Sequence, residues 1–372
     1  MSFPCFDRGK LRLKPLSERG NKVQFPKDAV DPSAAPRGLT PKAAALLPEV
    51  VERVRAARAA GKPVMCAFGA HTIKNGLGPV LISLIRSAWI THLATNGAGI
   101  IHDWELAYQG GTSEDVRENI SRGEFGAWEE TGRFINIALL AGAWRGFGYG
   151  HSVGALIANQ GLDLPSSEEL LDEIPRLLDA EPGRAAAAAD LLSAVKEFRL
   201  PAGHMEVPHP FARFSAQAAA WSAGVPFTGH PMIGHDIIYA HPLNSGAAVG
   251  RTALTDFLVF ADGVSRLDGG VYLSIGSAVM SPMIFEKSLS MARNIAVQEG
   301  RTIENHYILV VDIAESAWDW TRDGEPPVTD PAYYLRYGKT FSRMGGTVRY
   351  MQADNRDFLL SLAQALQRPA LS

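Results

Sequence analysis

The chain has 372 residues, of which 46% are hydrophobic and 20% are charged, and its formal net charge is -3. This length predicts one large or two ordinary domains, and the composition excludes a globally disordered chain. Because the sequence contains no long basic run, we expect neither nucleic acid nor an anionic membrane as a partner.

The cysteines and the first residues indicate the compartment. Cys5 and Cys66 are too few for a disulfide framework or a thiolate metal site, which favours a reducing compartment. The N-terminal segment lacks the apolar stretch of a secretory signal. No apolar run reaches membrane-spanning length. We therefore expect a cytoplasmic protein.

The first residues also differ from the rest of the chain in pattern. Residues 1–40 contain several prolines and basic residues with little periodicity, and we interpret them as an N-terminal arm that packs on the surface or on a partner subunit. A strong helical pattern then runs from Thr40 to Gly61. It opens residues 41–372, which we predict to be a single large α/β domain with a helical insertion at about 113–200.

Short apolar runs of strand length alternate with helical patterns in this domain. PVMCAF (63–68) precedes a loop, an apolar helix and a second strand, ITHLAT (90–95), which is the order of a parallel unit with a right-handed crossover. Later strands are predicted at GVYLSI (270–275), HYILVVDIA (306–314) and TVRYMQ (347–352). The alternation predicts a doubly wound, mostly parallel sheet with helices on both faces. Such sheets bind ligands beyond the carboxyl ends of their strands.

Three loops rich in small residues follow predicted strands: GAHTIKNG (69–76), TNGAG (95–99) and IGSA (275–278). Small residues allow backbone amides to approach a phosphate, and a following helix N-terminus favours an anion. The loops therefore predict a nucleotide site, whose candidate residues are Ala70, His71, Thr95, Asn96, Gly97, Gly276 and Ser277. None of the loops fits G-x-G-x-x-G or the P-loop pattern, so ordinary tight turns are the alternative.

An acidic residue follows the last predicted strand. Asp354, in the sequence YMQADN, is placed where a carboxylate accepts hydrogen bonds from a ribose. The alternative is that Asp354 is the N-cap of the last helix.

Five of the ten histidines lie between residues 204 and 241. This density suggests a metal-dependent hydrolase, but the spacings match no template for metal ligands, and we assign no metal. Within the segment, Asp236 and His241 flank the apolar stretch IIYA. The pair could bind a cationic amine or move protons, and capping of local backbone groups is the alternative.

The stretch DPAYYLRYGKTF (330–341) has the pattern of one helix that begins after the N-cap Asp330. Gly338 interrupts it, at a cost of about 1 kcal/mol relative to alanine, and directly precedes Lys339. In an unbroken helix Lys339 points away from the face that carries Tyr337. It then faces solvent or another subunit.

The order of these motifs resembles that of the deoxyhypusine synthase family. AHTIKNGLGPVLISLIRSAWITHLATNGAGIIHD (70–103) is similar to the first βαβ unit of that family, with its Ser-Asn-x-Ile-x-x-Gly loop and its Thr-Thr-Ala-Gly-Gly turn. DIIYAH (236–241) resembles an Asp-x-Ile-x-x-His segment, YGK (337–339) resembles Trp-Gly-Lys, and QADN (352–355) resembles a terminal Ala-Asp segment. The similarity covers most of residues 60–370 but is dense only in these blocks.

The resemblance implies a Rossmann-like, NAD-binding fold and a homotetramer, a dimer of dimers with active sites at dimer interfaces. It implies that NAD oxidises a polyamine such as spermidine and that the aminobutyl group is held as an imine on a lysine, here Lys339. The group then passes to an acceptor amine, either a protein lysine or a free diamine. By the same resemblance Asp236, His241, Tyr337 and His102 bind the substrate, and Asp354 contacts the adenine end of NAD.

The chain departs from the family pattern at several anionic positions. The acidic pair after the Thr-Thr-Ala-Gly-Gly turn falls on Ile101 and His102, the substrate histidine falls near Ser281, and the glutamate before Trp-Gly-Lys falls on Tyr333. The leading hypothesis is an NAD-dependent aminoalkyl transferase. The alternatives are a non-catalytic NAD-binding or scaffold protein of the same fold and a metal-dependent hydrolase that uses the 204–241 histidines.

Overall fold

The computed structural model describes residues 3–320 and 322–369. Residues 1 and 2 of the predicted arm and residues 370–372 of the predicted domain lie outside this range. The strands are β1 (Val23–Gln24), β2 (Val64–Phe68), β3 (His92–Asn96), β4 (Gly111–Thr112), β5 (Gly161–Leu164), β6 (Gly203–Glu206), β7 (Phe227–His230), β8 (Val271–Ile275), β9 (Tyr307–Asp312) and β10 (Thr347–Gln352).

Helices of very different length connect the strands. They are α1 (Pro41–Ala59), α2 (Ala70–Lys74), α3 (Gly78–Arg86), α4 (Gly97–Gln109), α5 (Val116–Arg122), α6 (Glu129–Arg145), α7 (Tyr149–Ala158), α8 (Ser167–Leu177), α9 (Pro182–Phe198), α10 (Ala216–Ala223), α11 (Gly246–Ser265), α12 (Met280–Gln298), α13 (Arg336–Ser342) and α14 (Asn355–Gln367). None of the helices in the described ranges is both long and apolar enough to cross a membrane.

The centre of the molecule is a six-stranded sheet in the order β10-β9-β8-β2-β3-β7, and every neighbouring pair is parallel. Counted along the chain, this is the order 3-2-1-4-5-6 of a Rossmann sheet read from the other side. The predicted doubly wound α/β fold is therefore confirmed. Its strand order reverses between β2 and β8, where such sheets open a crevice for ligands.

Both faces of the sheet are buried, because successive side chains of a strand point to opposite faces. On one face Met65 and Tyr272 belong to a core that also contains Phe260 of α11, Phe285 of α12 and Phe341 of α13. On the other face the core contains side chains of α1, α3 and α14 together with those of α6, α7 and α9. A strand covered on both faces consists of continuous apolar residues, which explains why PVMCAF was recognisable.

The structure differs from the sequence-based expectation in two elements. Strand β7 was not predicted, since FTGH is short and contains a glycine. The stretch 330–341 does not form one helix: a 3-10 turn, Pro331–Tyr334, is followed by Leu335 at ψ 79° and only then by α13. Asp330 caps the turn by accepting from the Ala332 N–H at 2.8 Å, so the cap was correctly predicted while the continuous helix was wrong.

The predicted arm packs on the domain that follows it. Leu16 and Phe25 are buried, and β1 pairs with β4 in an antiparallel ladder. Arg19 of the arm and Glu105 of α4 form a bidentate ion pair, with N–O distances of 2.6 and 2.8 Å, and both side chains are only 1% exposed. The arm thus contributes a charged group to the interior.

This buried pair predicts a large loss of stability when one partner is removed. Arg19→Met leaves the Glu105 carboxylate buried without a cation, and we expect the free energy of unfolding to fall by about 3–5 kcal/mol. The control is Lys22→Met, since Lys22 also belongs to the arm but pairs with Asp115 at the surface, with side chains 57% and 44% exposed. This control is expected to change stability by at most about 1 kcal/mol. Urea unfolding followed by tryptophan fluorescence measures both, and equal effects of the two variants would contradict the prediction.

Candidate functional site

The loops after β2 and β8 meet at the point where the strand order reverses. The Gly69 N–H donates to the Ile275 carbonyl at 3.0 Å, and a Cβ on Gly69 would lie 2.1 Å from the Gly276 carbonyl oxygen. Gly276 adopts a left-handed φ of 55°. These two glycines are therefore required by the contact of one loop with the other.

The other candidate cofactor residues make local hydrogen bonds. The Thr95 hydroxyl donates to the Phe68 carbonyl at 2.9 Å, and the Asn96 side chain caps α4 by accepting from the Gly99 N–H at 2.9 Å. The Ser277 hydroxyl accepts from the Ser281 N–H, and Asp354 caps α14 by accepting from the Arg356 N–H at 2.8 Å. The turn and cap roles considered as alternatives are thus observed. They leave a ligand role for these residues as a prediction.

Three backbone amides at this edge remain available. The N–H groups of Ala70 and His71 at the start of α2, and of Ala98 at the start of α4, have no hydrogen-bond acceptor within residues 3–320 and 322–369. These helices follow β2 and β3, which are neighbours in the sheet. Unpaired amides at the start of a helix favour an anion.

A cavity of about 180 Å³ lies beyond the carboxyl ends of β2, β3 and β7. Each of these strands leads into a segment that contributes lining residues: Lys74 ends α2, Ala98 and His102 belong to α4, and Asp236 follows β7. The structure therefore brings together two predicted substrate residues, Asp236 and His102. The cavity holds a volume equal to about six water molecules.

Asp236 lies directly against the N-terminus of α4. A Cβ on Gly97 would be 2.2 Å from Asp236 Oδ2, so only glycine leaves room for the carboxylate. Oδ2 is buried and has no short hydrogen bond in the part of the chain that is described, and the donors that act on the carboxylate are the Met232 N–H and the Tyr239 hydroxyl. Burial raises the pKa of Asp236 to about 6. The side chain is therefore ionised at pH 7, and a buried anionic oxygen without a short hydrogen bond is a costly arrangement that a bound cation would relieve.

His102 belongs to a chain of hydrogen bonds that determines its tautomer. The Thr112 hydroxyl lies 2.5 Å from Glu105 Oε2 and 2.8 Å from His102 Nδ1. A hydroxyl has one proton to donate. Burial raises the pKa of Glu105, but the charge and hydrogen bonds of Arg19 outweigh burial and hold this pKa below its ordinary value. Glu105 is therefore an ionised acceptor, and the Thr112 hydroxyl donates to it. His102 Nδ1 must therefore donate to Thr112, which leaves the lone pair on Nε2. Burial lowers the pKa of His102 to about 4, so the ring is a neutral acceptor at pH 7.

His241 does not line the cavity with Asp236. It packs against α6, where a Cβ on Gly132 would lie 2.6 Å from the His241 Cβ. Nδ1 of His241 accepts from the Leu243 N–H at 3.0 Å, and Nε2 lies 3.4 Å from Glu129 Oε2. The predicted Asp236–His241 pair is thus separated, and His241 has the local capping role considered as its alternative.

Lys339 lies on the opposite face of α13 from the buried Tyr337 and does not line the cavity. Its Nζ is 3.4 Å from Glu325 Oε1 and 3.5 Å above the centre of the Tyr333 ring, and its side chain is 20% exposed. Gly338 is explained by packing, since a Cβ there would lie 2.5 Å from Cζ2 of Trp320. Tyr337 stacks on Tyr350 at 6.1 Å between ring centres.

The five histidines of the 204–241 segment lie in separate surroundings. His204 pairs with Asp163 on an exposed hairpin, His209 packs among aromatic rings, and His230 faces Thr228. No group of three or more potential metal ligands occurs in residues 3–320 and 322–369. The hydrolase alternative therefore has no shared centre on these side chains.

Sequence reasoning missed Lys74 and the Arg19–Glu105 pair among the residues that line the cavity, and also missed a buried tyrosine close enough to be affected by the charge of Asp236. Lys74 was not predicted because the loop 69–76 was considered only for its small residues. The Arg19–Glu105 pair was not predicted because it joins residues far apart in the chain. Tyr149, at the start of α7, is fully buried with a hydroxyl that lacks a partner among the described residues. Burial, followed by the nearby charge of Asp236, raises the pKa of Tyr149. A tyrosine between two glycines was the only available signal.

The chain was compared with known proteins. No protein-family model and no curated protein matches the sequence. Among solved structures, AgrE in a ternary complex with ornithine and NAD+ matches with 16% identity and a TM-score of 0.43, over 88% of this chain and 34% of AgrE. A conserved putative LOR/SDH protein from Methanococcus maripaludis S2 matches with 12% identity and a TM-score of 0.43, over 92% of this chain and 75% of that protein.

A third structure, apo ArgZ, an arginine dihydrolase from the ornithine-ammonia cycle in cyanobacteria, matches with 14% identity and a TM-score of 0.40, over 87% of this chain and 32% of ArgZ. The chain thus spans about a third of the length of AgrE and of ArgZ. None of these three proteins is a deoxyhypusine synthase. The resemblance to that family therefore depends on the sequence motifs alone.

The hydrogen-bond chain predicts a specific state of His102. Nitrogen NMR of protein labelled at histidine should show His102 protonated at Nδ1 and neutral until the pH falls to about 4. Thr112→Val removes the acceptor for Nδ1–H, and we expect a mixture of tautomers. Thr131→Val is the matched control, because Thr131 also donates to Glu105, at 2.9 Å, without contacting His102 in the hydrogen-bond chain. A wild-type ring protonated at Nε2 would refute the assignment.

Proposed function

We propose that the chain is an NAD-dependent enzyme that transforms a small amine and, as its motifs suggest, passes an aminoalkyl group through Lys339 to an acceptor amine. The observation that carries the proposal is the Asp236 carboxylate. It has a buried oxygen without a short hydrogen bond among the described residues and lines a small cavity at the ligand-binding edge of a Rossmann-order sheet. Such a carboxylate is complementary to an ammonium group.

The residues at the sheet edge fit a dinucleotide. The N–H groups of Ala70, His71 and Ala98 would hold a pyrophosphate, and the Asp354 carboxylate, which follows the last strand, would accept hydrogen bonds from a ribose. NAD, when bound, supplies a hydride acceptor for the carbon that bears the substrate nitrogen. We propose that these residues hold it.

Asp236 and His102 would both contact the amine, Asp236 as a general base and His102 as a hydrogen-bond acceptor. An ammonium group must lose a proton before its carbon can give up a hydride, and Asp236, with a pKa of about 6, is close to the optimum for a general base near neutral pH. His102 Nε2 would accept a hydrogen bond from a remaining N–H and so orient the nitrogen. The pKa of about 4 at His102 makes that ring an acceptor rather than the base.

Lys339 would form the covalent intermediate. Nζ must first lose a proton to become a nucleophile, and this proton would go to solvent, because the neighbouring Glu325 is bound by Arg343, which holds the pKa of that carboxylate below its ordinary value. The free amine then adds to the carbon–nitrogen double bond of the oxidised substrate, the original amine leaves with a proton, and the carbon remains doubly bonded to Nζ. Attack by the acceptor amine reverses the exchange and frees the lysine, and the hydride removed at the start would return to the new carbon–nitrogen double bond, so that NAD is not consumed.

A second copy of the chain would bring Lys339 to the cavity, because the two do not meet within one chain. The cavity is bordered by Val116 and Phe125, apolar side chains that are 48% and 41% exposed. Exposed apolar residues around a site are typical of a surface that another chain covers. We propose a homo-oligomer with shared active sites, in line with the motif resemblance.

The first prediction concerns Asp236 and pH. The raised pKa means that the carboxylate is neutral below about pH 6 and ionised above it, so affinity for a primary amine should increase as the pH rises through 6. Asp236→Asn should remove this step and weaken binding at pH 8 by about ten- to a hundredfold, the value of a charged hydrogen bond. Calorimetric titration measures both. Asp163→Asn, which removes an exposed carboxylate, is the control, and a pH profile that Asp236→Asn leaves unchanged would contradict the proposal.

The second prediction concerns Lys339. Borohydride added during turnover with NAD and an amine should reduce the imine and leave a stable mass increase on Lys339, detected by peptide mass spectrometry. Lys339→Ala should bind NAD but show no adduct and no turnover, whereas Lys42→Ala, at an exposed lysine, should behave as wild type.

Subunit complementation separates the shared site from its alternatives. Mixing the inactive Lys339→Ala and Asp236→Asn variants should restore turnover, because each mixed dimer regains one intact site. No restoration would exclude the shared site. NAD binding without any adduct in the wild type would instead support the non-catalytic NAD-binding protein.

A further inference from the structure

Lys74 provides a cation in the same cavity. It is the last residue of α2, is half-buried, and forms no hydrogen bond or ion pair with the residues that the structure describes. The other permanent cation of the cavity wall, Arg19, is neutralised by its bidentate contact with Glu105. Lys74 is therefore the unneutralised cation that the described lining offers to a ligand.

The carboxylates of the cavity lining also differ in whether their oxygens already have partners. Both oxygens of Glu114 are engaged, Oε1 by the Trp128 indole N–H at 3.0 Å and Oε2 by the Asn119 side chain at 2.5 Å. Glu105 is paired with Arg19. Asp236 retains an oxygen without a short hydrogen bond among the described residues. The cavity thus presents a free carboxylate and a free ammonium that are too far apart to pair with each other.

This distribution of charge selects among amines. A diamine has two ammonium groups, and when one binds Asp236 the other enters a small cavity beside the Lys74 cation, where both oxygens of the charged Glu114 carboxylate already accept hydrogen bonds from neutral donors. A like charge there disfavours binding. A molecule with an ammonium at one end and a carboxylate at the other satisfies both Asp236 and Lys74, and each contact is a charge-assisted hydrogen bond.

We propose that the substrate of this cavity is an amino acid whose amine is bound by Asp236 and whose carboxylate is bound by Lys74. The inference rests on the proposed function, because it assigns the class of amine that the same cavity accepts; the group that passes through Lys339 is then a carboxyalkyl group in place of the aminoalkyl group that the motifs suggest. The volume of about 180 Å³ equals only about six water molecules. A short amino acid and a diamine of the same length both fit this volume, so charge rather than size distinguishes them.

The test compares two ligands of the same length, 4-aminobutanoate and 1,4-diaminobutane, by calorimetric titration with and without NAD. Wild type should bind the amino acid at least about tenfold more tightly, the value of a charged hydrogen bond gained. Lys74→Met should abolish this preference by weakening the amino acid alone, and Lys74→Glu should reverse it in favour of the diamine. Lys42→Met should change neither affinity, and thermal melting verifies that each variant is folded.

Three results would overturn the inference. The first is a wild type that binds the diamine more tightly in an Asp236-dependent manner, with Lys74→Met and Lys74→Glu inert; the proposed amine-binding function then stands and only the substrate class fails. The second is a loss of NAD affinity in Lys74→Met with amine binding unchanged, which assigns the lysine to the dinucleotide. The third is a wild type that binds NAD but neither ligand, which removes the proposed function together with this inference.

Discussion

The ion pair between Arg19 and Glu105 connects the chain's first segment to the candidate site. Both side chains are withdrawn from water, and such a pair is tolerated only where good geometry and further hydrogen bonds offset the loss of hydration. Here Thr112 and Thr131 supply those hydrogen bonds. Because Glu105 stays ionised, the Thr112 proton is directed to it, and the orientation of His102 follows. The Arg19–Glu105 ion pair thereby determines the tautomer of His102, which leaves the unprotonated Nε2 as the acceptor in the cavity.

The elements that sequence analysis predicted correctly are those whose pattern is local. PVMCAF is a run of apolar residues because β2 is covered on both faces, and the helical pattern after Thr40 corresponds to α1 with its Thr40 cap at 3.2 Å. Strand β7 has no such pattern. Gly229 is required there because a Cβ would lie 2.7 Å from Cδ1 of Tyr149, and that contact joins residues 80 positions apart, so the reason for the glycine is tertiary.

The glycines illustrate why the candidate site was only partly predictable. A small residue in a loop after a strand indicates that something approaches the backbone closely, but the sequence does not identify it. At Gly97 the Asp236 carboxylate fills the space, at Gly99 the Thr95 hydroxyl, and at Gly338 the Trp320 ring. At Gly97 the absence of a side chain lets Asp236 reach the start of α4, a contact between distant residues that the loop sequence does not reveal.

The polar side chains of the proposed reaction lie at two different places along the sheet. Asp236, Lys74 and His102 surround one cavity beyond β2, β3 and β7, whereas Lys339 and Glu325 lie with α13, beside β9 and β10 at the other end of the sheet. A reaction that uses side chains from both places cannot be completed by a rigid single chain, because the sheet separates them. The reaction that we propose therefore requires a second copy of the chain to bring Lys339 to the cavity, and the exposed apolar side chains Val116 and Phe125 at the border of the cavity would belong to the contact between the copies.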